Sequence, residues 1–126
     1  GDADTKTIEH LTKNHKEDIS SIDVLIAPHH GRDSNKDFSF LDIMKPKLTL
    51  IGNAKCQYLA YKEWDDRNLL HIQNNQGGNI LIEFDSQGLH ISCSNKVFAN
   101  VFNQHYFQHN AYEDSNNPGY WRLCKL

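Results

Sequence analysis

The sequence predicts an α/β protein, a mixed sheet with flanking helices, and three observations carry that prediction. An amphipathic stretch near the N-terminus leads into a short β-branched apolar run at 23–27, which stops at Pro28-His29-His30-Gly31. A second run of the same kind at 47–51 follows Lys45-Pro46. Residues 80–84 and 89–93 then alternate about Asp85-Ser86-Gln87-Gly88, the pattern of a tight hairpin.

Each element has a local reason. Residues 5–16 read as a helix with Ile8 and Leu11 on one side, Lys6, Glu9, Lys13 and Lys16 in water, and Asp4 or Thr5 as its cap. Ile19 and Ile22 lead into the first strand, which is expected to be buried. Residues 31–37 are polar and turn-like. A short helix at 38–44 offers Phe38, Leu41 and Met44 to the core, and Pro46 stops it. The run at 47–51 is a second buried strand. Residues 60–68 can carry Tyr61 and Trp64 on a helix before a strand at 69–73, and Asn74-Asn75-Gln76-Gly77-Gly78 is a turn. Val97, Phe98, Val101 and Phe102 have helical spacing, extended by Tyr106 and Phe107. Residues 110–126 mix turn formers and aromatics and read as a tail that docks back on the domain.

The totals narrow the function classes. A chain of 126 residues suits one domain or part of one. The net charge of −3 gives no bulk attraction to nucleic acid, so such a substrate would need a local basic patch or bound metal. Cys56, Cys93 and Cys124 are odd in number and widely spaced, which argues against a disulfide scaffold and favours free thiols in a reducing, cytoplasmic setting, with a membrane-attached or exported parent protein the alternative. No apolar run reaches the roughly 18 residues of a membrane span, and no signal peptide is visible.

The order of these features resembles the metallo-β-lactamase fold, most closely the hydrolase domain of bacterial DNA-uptake (competence) proteins. That family ends a strand in Gly-Asp before a helix, here Gly1-Asp2 and then Ala3-Asp4-Thr5. Its next strand runs into Pro-His-His-Gly, here Pro28 to Gly31, followed by a helix, a Lys-Pro-Lys-led strand (Lys45-Pro46-Lys47), another strand and a closing hairpin. The resemblance implies that residues 1–94 are the C-terminal half of an αββα sandwich, with 95–126 a helical and aromatic extension. The family's His-x-His-x-Asp-His cluster is not present in this sequence. The missing N-terminal half is then the expected partner, and the chain alone is expected to be inactive and to self-associate or expose apolar surface.

The resemblance also implies roles. Asp2 is the candidate bridge between two zinc ions, with manganese an alternative, because its two oxygens can hold two cations. His29 is favoured as a metal ligand because Pro28 stiffens the backbone before it. His30 would then face the substrate, since neighbours on an extended backbone point opposite ways; the reverse assignment stays open. Gly31 allows close backbone approach to a substrate. Arg32 stands where the family has a small hydroxyl residue, and either pairs with a phosphate oxygen or faces solvent.

Plainer readings exist for each residue. Asp2 can be a capping or solvated carboxylate, and a His-His pair at a strand end is commonly a hydrogen-bonded turn. His10 and His15 are five apart, which does not align them on a helix; His105 and His109 are four apart but lack a third ligand. Tyr58, Trp64 and Trp121 read as core or docking aromatics. Two functions follow: part of a metal-dependent phosphodiester hydrolase, nuclease-like, or a non-catalytic interaction domain that keeps the fold.

Overall fold

Asp4 caps the first helix, α1 (Thr5–Asn14), where its carboxylate accepts hydrogen bonds from the Thr7 amide and hydroxyl, both at 2.8 Å. The structure, a computed structural model, describes residues 3–33 and 37–126; Asp2 therefore lies outside the described residues. The fold is α/β, with a parallel three-stranded sheet, an antiparallel three-stranded sheet and five α-helices among the described residues. Contacts group the chain into two compact units, Gly1–Gln73 and Asn74–Leu126. By packing, the hairpin thus joins the C-terminal elements, whereas the resemblance extends to residue 94.

In the first unit β1 (Val24–Ile26), β2 (Leu48–Ile51) and β3 (His71–Gln73) lie side by side, all parallel. Alternation places Leu25 and Ala27 on one face with Thr49 and Ile51. Phe40, Leu41 and Met44 of α2 (Phe40–Met44) and Trp64 of α3 (Tyr61–Asp65) bury themselves in the same cluster as Ala27 and Ile51. Lys45 ends α2 in a left-handed conformation (φ 41°), directly before Pro46. Arg67 ties the two helices by bonding Asp42 at 2.9 Å and Glu63 at 2.8 Å.

The first strand is not buried as expected. Ile26 is 67% exposed, because alternation turns it away from Leu25 and Ala27 on an edge strand of the sheet. Beside it Leu11, Leu25, Pro28 and Met44 line an apolar groove of about 190 Å³.

The second unit opens with a single helical turn, α4 (Asn74–Gly77), and the hairpin of β4 (Ile80–Asp85) and β5 (Gly88–Cys93). The two strands pair from Ile80↔Cys93 to Asp85↔Gly88, and the Asp85 carboxylate accepts the Gln87 amide at 2.7 Å to fix the two-residue turn. Asn95 caps α5 (Lys96–Phe107) by accepting from the amides of Val97 and Phe98. This helix buries Ala99, Phe102 and Asn103, while Val97 and Val101 are 73% and 64% exposed. The valines thus stand on a stripe away from the i, i+3, i+4 face that packs.

The tail read as a docking segment ends in a strand, β6 (Trp121–Lys125), paired antiparallel with β5 and shifted in register between Ile91 and Ser92. Asn103 fastens α5 to it, donating from Nδ2 to the Arg122 carbonyl at 2.8 Å. No helix of the described residues is long and apolar enough to cross a membrane.

Candidate functional site

Parallel pairing brings the C-terminal ends of β1 and β2 together, with the Ala27 amide donating to the Leu50 carbonyl at 2.9 Å. Beyond that bond the backbone turns sharply. His29, His30 and Gly31 have successive φ values of 49°, 60° and 74°, so three consecutive residues are left-handed. Only the glycine adopts this region without steric cost, and a left-handed L-residue costs about 1–2 kcal/mol.

This geometry removes the extended-backbone premise for opposite histidine orientations. A left-handed helical turn repeats every 3.6 residues like its right-handed mirror image, so neighbouring side chains diverge by about 100° and not 180°. His29 is half-buried, and His30 and Arg32 are exposed.

The surrounding backbone holds the turn in place. The Arg32 amide donates to the His29 carbonyl at 3.1 Å, the Ala60 amide to the Gly31 carbonyl at 2.9 Å, and the Asp33 amide to the Tyr58 carbonyl at 2.7 Å. Gly31 is buried: an added Cβ would lie 3.0 Å from Ile51 Cγ2 and 3.5 Å from Ala27 Cβ. The close approach it permits is to the sheet.

Two residues of this edge escaped the sequence reading. Gly52, just past β2, lies beside the His30 ring: a Cβ there would fall 2.4 Å from Nδ1 and 2.9 Å from both Cβ and Cγ of His30. Gln73, the last residue of β3, is buried, and its Oε1 has no hydrogen-bond partner among the described residues. Their common signal was position, since each closes an apolar run that becomes a parallel strand, where ligands of open α/β sheets gather.

Gly52→Ala is expected to force the His30 side chain from its place, because its Cβ and Cγ, and not only the ring tip, are in the way. The expected cost is about 1–3 kcal/mol, typical of overpacking. Denaturant unfolding measures that cost, and imidazole NMR resonances should show His30 shifted with His29 little changed.

The predicted residues come together in part. His29, His30, Gly31 and Arg32 form one turn at the sheet edge, and Asp2 is outside the described residues. His71 stands elsewhere, stacked on Tyr61 with centroids 6.1 Å apart, and His109 lies beyond the end of α5. Among the described residues no three His, Cys, Asp or Glu side chains group as a metal site. The two imidazoles are ligands of the type zinc takes, and two alone do not complete a centre. Burial raises the pKa of the Cys93 thiol and pushes that of Cys124 up to about 11, so neither is a nucleophile near neutrality.

Comparison with family models, curated proteins and solved structures finds no match to this chain.

Proposed function

We propose that the chain forms part of a metal-dependent hydrolase acting on phosphodiester bonds. The observation that carries this reading is the left-handed His29-His30-Gly31 turn at the C-terminal edge of a parallel sheet. Strained backbone on two adjacent histidines persists only where the surroundings impose it, and such strain gathers at functional sites.

In this proposal His29 is a ligand, and Asp2 with residues of an N-terminal half complete the centre. Zinc or manganese bound there would supply an activated water near neutral pH. The chain's own groups have simpler tasks: Gly52 leaves room for the His30 ring, His30 contacts the scissile phosphoryl group, and exposed Arg32 pairs with a phosphate oxygen. The open edge of β1, with Ile26 exposed beside an apolar groove, is consistent with a sheet that continues into further chain.

The test uses the full-length natural protein and bis(p-nitrophenyl) phosphate as substrate. Turnover should vanish on chelation, return with zinc or manganese, and fall by about 100-fold or more in His29→Ala and Asp2→Ala. Metal-independent turnover, or full activity in both variants, would reject this metal centre, and no turnover would reject the hydrolase in favour of a non-catalytic interaction domain.

A further inference from the structure

The second unit carries a concave site of about 460 Å³ that the hydrolase reading does not use. Its wall is built by β5 and β6, the β4–β5 turn and the segment following α5. The chemistry is concentrated in His90, His109, Arg122 and Lys125, with Phe107 and Tyr112 among them. Lysine and arginine nitrogens beside exposed aromatic rings suit a ligand that has both an anionic group and a flat face. The volume falls within the range for small-molecule sites, about 300–1,000 Å³.

The acids nearby are already engaged. Asp85 accepts from His90 Nε2 at 3.1 Å and from the Gln87 amide, and Asp114 accepts from Arg122 Nη2 at 2.7 Å. Lys125 Nζ donates to the neutral Gln87 Oε1 at 3.3 Å, and its charge, which also acts on Asp85, is held in no ion pair among the described residues. Arg122 Nη1 is buried without a hydrogen-bond partner among the described residues, a donor whose desolvation an anion nearby would offset. His109 Nδ1 sits 2.9 Å from the Asn110 carbonyl; donating there leaves Nε2 as an acceptor for a ligand hydroxyl. The rings are arranged for stacking: Phe107 and His109 lie nearly parallel, 18° apart in plane with centroids 6.0 Å apart, and Tyr112 is 60% exposed.

We infer that this site binds a nucleoside monophosphate, with the phosphate held by Lys125 in the field of Arg122 and the base against Tyr112 and Phe107. Base–aromatic stacking needs no sequence code, because every base has a π-face, so the site should accept several bases. Cys124 forms part of the floor as a protonated thiol and takes no chemical part.

The experiment is an NMR titration of the chain with adenosine monophosphate, with adenosine and inorganic phosphate run separately. Saturable shifts should centre on residues 87, 90, 107–112 and 122–125, and the monophosphate should bind more tightly than either fragment. Lys125→Ala and Tyr112→Ala, both at exposed positions, should each weaken binding by roughly ten-fold while leaving the amide spectrum folded. Absence of saturable shifts, shifts centred on His29–Gly31, or unchanged affinity in both variants would overturn the inference. So would phosphate binding as tightly as the nucleotide, which would mark a simple anion site. Because the readout is residue-specific, failure of the hydrolase reading leaves this result unaffected.

Discussion

Replacing Trp64 with alanine should lower the stability of the N-terminal unit by about 3–5 kcal/mol, the range for emptying a large aromatic site. Trp64 has 0% exposure and meets Phe38 edge-on, with centroids 5.5 Å apart. It also packs with Phe40 and Leu41 against the sheet face that carries Ala27 and Ile51. The hole left behind would sit where three elements meet and could not close without moving a helix. Since domains have only about 5–15 kcal/mol in total, the variant should be partly unfolded under mild denaturant. Trp64→Phe should cost much less. The indole N–H has no hydrogen-bond partner among the described residues, so phenylalanine loses volume without breaking a bond. Urea unfolding followed by circular dichroism, with amide NMR to separate the two units, measures both effects.

A comparable loss is expected in the second unit when Asp114 becomes alanine. Asp114 is 2% exposed and bonds Arg122 at 2.7 Å, with the Asn116 amide at 3.0 Å and the Ser92 hydroxyl at 3.3 Å. Truncation leaves the Arg122 guanidinium buried without its counter-charge, which costs about 3–5 kcal/mol in such pairs. The same carboxylate sets a pH dependence. Burial, the largest single influence, pushes its pKa up, but hydrogen bonds from Asn116, Asn117 and Ser92 and the Arg122 charge together hold it below the ordinary value. A lowered folded pKa means that the contribution is fully present above the unfolded pKa, about 3.9. It is lost as pH falls through the lower folded value. Stability of the unit should therefore decline in acid, and Asp114→Asn should remove that part of the decline. Denaturant unfolding between neutral pH and about pH 3 checks the sign.

Much of this architecture could be read from the residues because local signals agreed with one another. Asp4 before an amphipathic run gave α1 and its cap, Pro46 bounded α2, and two alternating runs about Ser86-Gln87 gave the hairpin. Strand β6 was harder to see, because Trp121-Arg122-Leu123-Cys124-Lys125 does not alternate cleanly and its pairing with β5 bridges a register shift. A strand whose existence depends on a distant partner leaves little local trace. The buried side of α5 was hidden for a related reason. Its packed face holds Ala99 and Asn103, small or polar residues, and the more apolar Val97 and Val101 remain in water.

At the candidate site, composition located the turn but not its backbone. Nothing in His29-His30 announces two left-handed residues, because the turn is held by backbone bonds of Gly31 and Asp33 with Ala60 and Tyr58, about thirty positions later in the chain. The part played by Gly52 was equally hidden, since it depends on parallel pairing that places the end of β2 beside the end of β1. The nucleotide site was beyond reach for the same reason, as β6 supplies Arg122 and Lys125.

The most direct test of the account is a paired measurement on His30→Gly, comparing unfolding free energy with metal-dependent phosphodiester turnover in the full-length protein. Glycine relieves about 1–2 kcal/mol of left-handed strain at an exposed position and loses about 0.5–1 kcal/mol through greater freedom in the unfolded chain. The expected result is equal or slightly higher stability with turnover lost, the mark of a conformation kept for chemistry. Reduced stability with turnover intact would contradict it and make the turn a structural corner.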